Sequence, residues 1–211
     1  MINYRQAEEK DLSEISTVLT QAYKNYCFYS ETIGKTFKDK KSYEEFLYHL
    51  FYIYVKTNLK KQICMVGIIN ESIVSCAGIK NPSIKHSGIY DYIAAGGLSL
   101  FKYSSPINIL RFLKFSEEGY SICSDLKPDA WYLDSLVVSP NYQGKNLGSQ
   151  MINDCIKPYV INNGGTELSL ITNSEINRQF YIKNGFEEID ESIIIYKNTK
   201  LKNWSYSLKL V

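Results

Sequence analysis

The chain has 211 residues, enough for one domain with a sizeable core, and its 24 Lys+Arg against 22 Asp+Glu leave a formal charge of +2. That balance lacks the electrostatic footprint of a nucleic-acid-binding or anionic-membrane-binding protein, so neither partner is expected. Five cysteines, odd in number and without a CxxC pair, read as free thiols of a reducing, cytoplasmic compartment, and two histidines leave little for a His-built zinc site.

The start of the chain, MINYRQAEEKDLSE, is polar and charged, so no signal peptide is expected there, and no run of about 18 apolar residues would span a membrane. Ile2 to Ala7 is a short candidate strand. A helix follows, with Asp11 as its expected cap and Leu12, Ile15, Val18, Leu19, Ala22 and Tyr23 at helical spacing. A second helix is expected from Ser42, where Ser42 and Glu45 have capping-box spacing, to the cations Lys60 and Lys61. Two β-prone runs flanking Asn70-Glu71-Ser72 predict a hairpin. Residues 81–129 break this rhythm. Two helical segments, Ile89 to Tyr103 and Ile107 to Tyr120, read as an insertion between strands. Trp131 to Val138 is the next strand. Residues 147–163 predict a helix that Pro158 should kink or divide. Glu167 to Thr172 is a strand, and Ser174 to Asn184 is a helix stopped by Gly185. Two final strands form a terminal hairpin. The order describes one mixed α/β domain over residues 1–211.

The loop Gln143-Gly144-Lys145-Asn146-Leu147-Gly148-Ser149 links a strand to a helix. The first amides of a helix have no intrahelical acceptor, and with the helix dipole they attract an anion. Glycines let the backbone approach closely, so the loop reads as a phosphate or pyrophosphate cradle, the alternative being tight packing alone. It is not a P-loop, because Lys145 is followed by Asn146. Nor is it the dinucleotide fingerprint, because Gly144 and Gly148 are four apart.

WYLDSLVVSPNYQGKNLGSQMI, followed about thirty residues later by SLITNSEINRQFYIKNGFEE, resembles the GCN5-related N-acetyltransferase (GNAT) superfamily. The family pattern is a strand ending V-x-P, then Q/R-x-x-G-x-G/A, a helix, and later N-x-x-F-Y-x-x-x-G-F. The W-Y-L run and the Thr172–Tyr181 segment look most like the puromycin N-acetyltransferase branch. The match covers roughly Trp131 to Phe186. Asn146 stands where the family has glycine, and asparagine tolerates left-handed backbone. Ala130 stands where that branch often has histidine.

The resemblance implies a mostly antiparallel sheet with a splayed central parallel pair, helices on both faces and the helical insert before the central strand. It implies acetyl-CoA as cosubstrate and no metal. Backbone groups around Leu136, Val137 and Val138 would pair with the pantetheine arm, and the amides of Gln143 to Ser149 would hold the pyrophosphate, with Lys145 beside them. Asn177 would contact the pantetheine region. Tyr181 would stand by the sulfur, where a phenol can donate to a departing thiolate. An amide near Val138 would donate to the oxyanion. Asp134, expected on one strand face with Tyr132 and Leu136, would accept the amine's proton or anchor a cationic substrate, unless it serves a structural pair. The acceptor is expected to be a small primary amine, held among the N-terminal helices and the insert by aromatics such as Tyr26, Phe28, Tyr29 and Tyr103. His49 reads as a helix-face residue and His86 as a loop residue. A silent acyl-CoA-binding module and a protein or peptide acetyltransferase are the alternatives. The terminal hairpin offers an edge for a possible homodimer.

Overall fold

The structure, a computed structural model, describes residues 1–85 and 87–210. His86, read from the sequence as a loop residue, lies outside the described residues, as does Val211. Seven strands form one sheet: β1 (Asn3–Gln6), β2 (Ile63–Ile69), β3 (Ser72–Lys80), β4 (Trp131–Val138), β5 (Glu167–Thr172), β6 (Glu187–Tyr196) and β7 (Thr199–Lys209), in the order β1-β2-β3-β4-β5-β7-β6. Every neighbouring pair is antiparallel except β4 with β5.

Helices cover both faces. On one side lie α1 (Leu12–Tyr23), α3 (Lys40–Lys61) and α5 (Pro106–Leu126), whose Ile15, Phe46 and Phe115 share a core with Val66, Cys76 and Val137 of the sheet. A short α2 (Cys27–Ser30) and a 3-10 turn (Ile33–Thr36) join α1 to α3. On the other side, Met151, Ile152, Ile156 and Val160 pack with Leu133, Leu168 and Leu170, and α8 (Glu175–Lys183) adds Tyr181.

Local signals place the elements with corrections of physical interest. Asp11 does not cap α1. Its carboxylate accepts from both terminal guanidinium nitrogens of Arg5, at 2.6 and 2.9 Å, and from the Glu8 amide at 2.8 Å. Helix α3 starts two residues before Ser42, because Asp39 is the cap: its carboxylate accepts from the Ser42 amide at 2.9 Å and the Ser42 hydroxyl at 2.8 Å. The first half of the insert is a short α4 (Ile89–Ala94) and a 3-10 turn (Gly97–Lys102) rather than one helix, with Gly96 left-handed between them. The β2–β3 turn is a two-residue one, Asn70 and Glu71 both having positive φ, which matches the right-handed twist of the strands it joins.

Pro158 does not divide its helix. The run goes from α6 (Leu147–Gln150) through a π-helical stretch (Met151–Ile156) into α7 (Lys157–Asn162). A wider turn just before the proline accommodates a ring that a regular α-turn would press against the preceding carbonyl. Gly185, at φ +88°, closes α8 as its position predicts, and the Phe186 amide returns to the Tyr181 carbonyl at 3.1 Å.

Candidate active site

The central parallel strands pair only at Trp131–Leu168 and Tyr132–Ser169, then separate, so the sheet forks between the last six residues of β4 and the end of β5. Beyond the fork each strand keeps its outer neighbour. The polar groups of β4 that face inward are therefore left for something other than β5. Alternation says which they are. The Ser139 amide bonds to Val74 on β3 at 2.8 Å, which makes Cys76–Val137 the next hydrogen-bonded pair. Val137 thus spends its backbone groups on β3, and those of Leu136 and Val138 point into the fork. The expected trio narrows to this alternating pair.

The loop after β4 lies beyond the same strand end. Gly144 has φ +77° with open space where a side chain would be, and Asn146 has φ +60°. These left-handed residues turn the chain so that the helix begins at Leu147. The amides of Gly144 through Ser149 find no acceptor among the described residues, whereas Gln143 is already engaged. Its amide reaches Pro140 at 3.3 Å, and its side-chain amide donates to the Val138 carbonyl at 2.9 Å. Gln143 therefore contributes a side chain that covers a fork-facing carbonyl, not the free amide expected of it. The Lys145 ammonium lies 4.9 Å from the centre of the Tyr142 ring, at the exposed edge of the loop. Gly148 lies tight against α8: a Cβ there would come within 3.1 Å of the Phe180 ring, which would have to give by a few tenths of an ångström.

Helix α8 brings Phe180 and Tyr181 to the other arm of the fork. Tyr181 is 8% exposed, with its ring against Phe180, Phe186 and Tyr206. Its hydroxyl has no hydrogen-bond partner among the described residues, nor is it sealed from solvent. Burial, and then the neighbouring Tyr26, raise its pKa well above the usual phenol value, so it keeps its proton at neutral pH. Tyr26, from the α1–α2 connection, crosses to the end of β5, where its hydroxyl accepts the Asn173 amide at 2.7 Å and lies 3.2 Å from the Thr172 hydroxyl. Its pKa is pushed up to about 12 by burial, against the opposing effect of hydrogen bonds from Thr172, Asn173 and Asn177. Asn177, half-buried on α8, is thereby within reach of the same phenol.

Asp134 stands differently from its expected position. The β3–β4 register runs Ile79–Leu133 and then Gly78–Ser135, so Asp134 is an extra residue in the ladder, a β-bulge. The bulge breaks the alternation: Tyr132 meets Tyr120 of α5 on one face, whereas Leu136 packs with the core on the other. The carboxylate is not a free base. It accepts a short hydrogen bond from the Tyr54 hydroxyl of α3, and Lys80 stands 2.7 Å away. The Lys80 ammonium in turn lies 4.3 Å from the Tyr120 ring centre and 5.4 Å from that of Tyr132. Sequence reading missed Lys80 and Tyr54, because only the β3–β4 register and the crossing of α3 bring them to Asp134. The aromatics expected around an acceptor divide. Phe28 and Tyr29 sit in a ring cluster with Phe112, and Tyr103 stacks on His49 at 4.4 Å with their polar atoms 2.6 Å apart. Among the described residues no cluster of His, Cys, Asp and Glu could hold a metal ion, and no helix is long and apolar enough to cross a membrane.

Comparison with known proteins bears on the fold. Residues 109–188 match the family model described as Acetyltransferase (GNAT) domain. No curated protein matches the chain in sequence. Solved structures match it over nearly its whole length. Arylalkylamine N-acetyltransferase 2 from Aedes aegypti is 13% identical with a TM-score of 0.61, covering 100% of this chain and 99% of that one. Polyamine N-acetyltransferase from Drosophila melanogaster is 18% identical with a TM-score of 0.58, covering 99% and 100%. The PaiA N-acetyltransferase from Thermoplasma acidophilum, solved in complex with coenzyme A, is 13% identical with a TM-score of 0.55, covering 99% of each chain.

Proposed function

We propose that this chain, which carries a GNAT acetyltransferase domain, transfers the acetyl group of acetyl-CoA to the primary amine of a small molecule. The observation that carries the reading is the open fork, where β4 backbone is not paired with β5, beside a loop whose amides from Gly144 to Ser149 have no acceptor among the described residues. These are the two needs of coenzyme A on one surface. A pantetheine arm has amides to pair with Leu136 and Val138 like an added strand, and a pyrophosphate has oxygens for a helix-opening nest. Gln143 would release the Val138 carbonyl to make that pairing complete.

Tyr181 supplies the remaining group. When an amine nitrogen bonds to the thioester carbonyl carbon and the carbon–sulfur bond breaks, the sulfur leaves as a thiolate that needs a proton. A phenol held protonated by burial can give it, and the proton lost by the amine restores the balance. No covalent enzyme intermediate is required, so the five cysteines, all free, need no part.

A small acceptor is favoured because the insert packs its α5 over β5, β6 and β7, covering the sheet on the face that holds Asp134. The names of the arylalkylamine and polyamine enzymes support an amine of modest size. Within the family we read the Trp131–Leu133 run and the Thr172–Tyr181 segment as nearest the puromycin branch. The test is release of free thiol from acetyl-CoA across a panel of small amines. Turnover with at least one of them is expected. Tight acetyl-CoA binding without turnover on any amine would instead make the chain an acyl-CoA-binding module.

A further inference from the structure

We propose that Asp134, Tyr54, Tyr120 and Tyr132 form an ammonium seat for the acceptor, and that in the ligand-free chain Lys80 occupies it as a stand-in for a straight-chain primary alkylamine. The inference rests on the acetyltransferase reading for its purpose, but not for the binding itself.

The Lys80 terminus is chemically such an amine: a flexible methylene stem ending in NH3⁺. It meets a carboxylate at 2.7 Å and two aromatic faces at 4.3 and 5.4 Å, the environment that holds an organic ammonium ion out of water. The Lys80 and Asp134 side chains are only 18% and 17% exposed, so a charge left unpaired there would be costly. That cost selects the ligand. A neutral or anionic molecule would strand the carboxylate, whereas one ammonium can replace another with the charge balance kept.

The place is also right. Tyr132 is the last β4 residue paired with β5 before the fork, and Asp134 is the second residue after it, on the strand arm that opens. A seat beside Asp134 therefore adjoins the point where the amine has to meet the thioester. The Tyr54 hydroxyl from α3 and the rings of Tyr120 on α5 and Tyr132 on β4 meet at this one ion pair. Lys80 also has somewhere to go. A cavity of about 50 Å³ adjoins it, bordered by Pro82 and Ser124, and about 10–15 Å³ on that measure suffices for one water-sized group.

The test is calorimetric titration of pentylamine, without acetyl-CoA, into the wild type, Lys80→Met and the double variant Lys80→Met/Asp134→Asn. Emptying the seat should tighten pentylamine binding by about ten-fold or more, and removing the carboxylate as well should abolish the gain. Equal affinity in wild type and Lys80→Met, or a gain that survives Asp134→Asn, overturns the proposal. If Lys80→Met is unfolded alone, pentylamine should restore its melting transition, and the double variant should fold without it; failure of that rescue also overturns the proposal. A wild type that binds no acetyl-CoA would defeat the acetyltransferase reading while leaving the outcome of this titration intact.

Discussion

The ring of Phe180 occupies the space that a side chain on Gly148 would need, with Cζ 3.1 Å and Cε2 3.3 Å from an idealised Cβ there. This contact joins the loop after β4 to α8, and so ties the proposed pyrophosphate cradle to the helix that carries Tyr181. Gly148→Ala gains up to about 1 kcal/mol of helix propensity, which offsets the pressure on one movable ring edge. It should fold and bind acetyl-CoA nearly as the wild type does. Gly148→Val has no such relief. Displacing Phe180 should cost about 1–3 kcal/mol in urea denaturation and weaken acetyl-CoA binding by about ten-fold in calorimetry.

Tyr181→Phe removes one hydroxyl that has no hydrogen bond to lose among the described residues. Stability should therefore stay within about 0.5 kcal/mol of the wild type. Loss of a positioned acid should lower kcat by about a hundred-fold or more while acetyl-CoA affinity changes little. Stopped-flow thiol release with the best amine, beside a binding titration, separates the two effects.

Burial holds the Tyr181 phenol above its ordinary value near 10, and the protonated form is the one that donates. Activity should therefore not decline through ionisation of this phenol until pH exceeds about 10. On the acid side, activity should rise with pH as the acceptor amine loses its proton. A kcat profile that falls between about pH 8 and 9 and becomes flat in Tyr181→Phe would count against the assignment.

The Arg5–Asp11 pair gives an independent check on the fold. The guanidinium hydrogen bonds hold Asp11 below the usual carboxylate range. Its contribution is therefore complete above about pH 4 and drains away as pH falls through the depressed folded value. Asp11→Asn should lose about 1 kcal/mol at neutral pH, and the difference from wild type should shrink on acidification. Urea midpoints taken from pH 7 to pH 2 would show it.

What could be read in the sequence was whatever local chemistry dictates. The Asn70–Glu71 turn, the left-handed Gly185 and the strand–loop–helix at Gln143–Ser149 all rest on residues close in the chain, and the pairing of that motif with the Phe180–Tyr181 helix came from the family resemblance. Even Asn146 in place of a glycine was legible, since its φ of +60° is one asparagine tolerates. What stayed hidden depends on register and crossing. One skipped residue in the β3–β4 ladder turns Asp134 away from the face of Leu136, and nothing in WYLDSLVV announces it. Lys80 and Tyr54 reach Asp134 from positions 54 and 80 residues distant, a meeting that exists only in the folded sheet. The cap of α3 was missed for a simpler reason: Asp39 and Ser42 both have capping chemistry, and the structure uses Asp39 as the cap and Ser42 as its donor.

A crystal structure of the chain with coenzyme A bound is the most direct measurement. The diphosphate is predicted to lie on the amides of Gly144 to Ser149, the pantetheine amides to pair with Leu136 and Val138, and the sulfur to come within hydrogen-bond reach of the Tyr181 hydroxyl. A coenzyme bound elsewhere, or one whose thiol lies far from that phenol, would contradict the account.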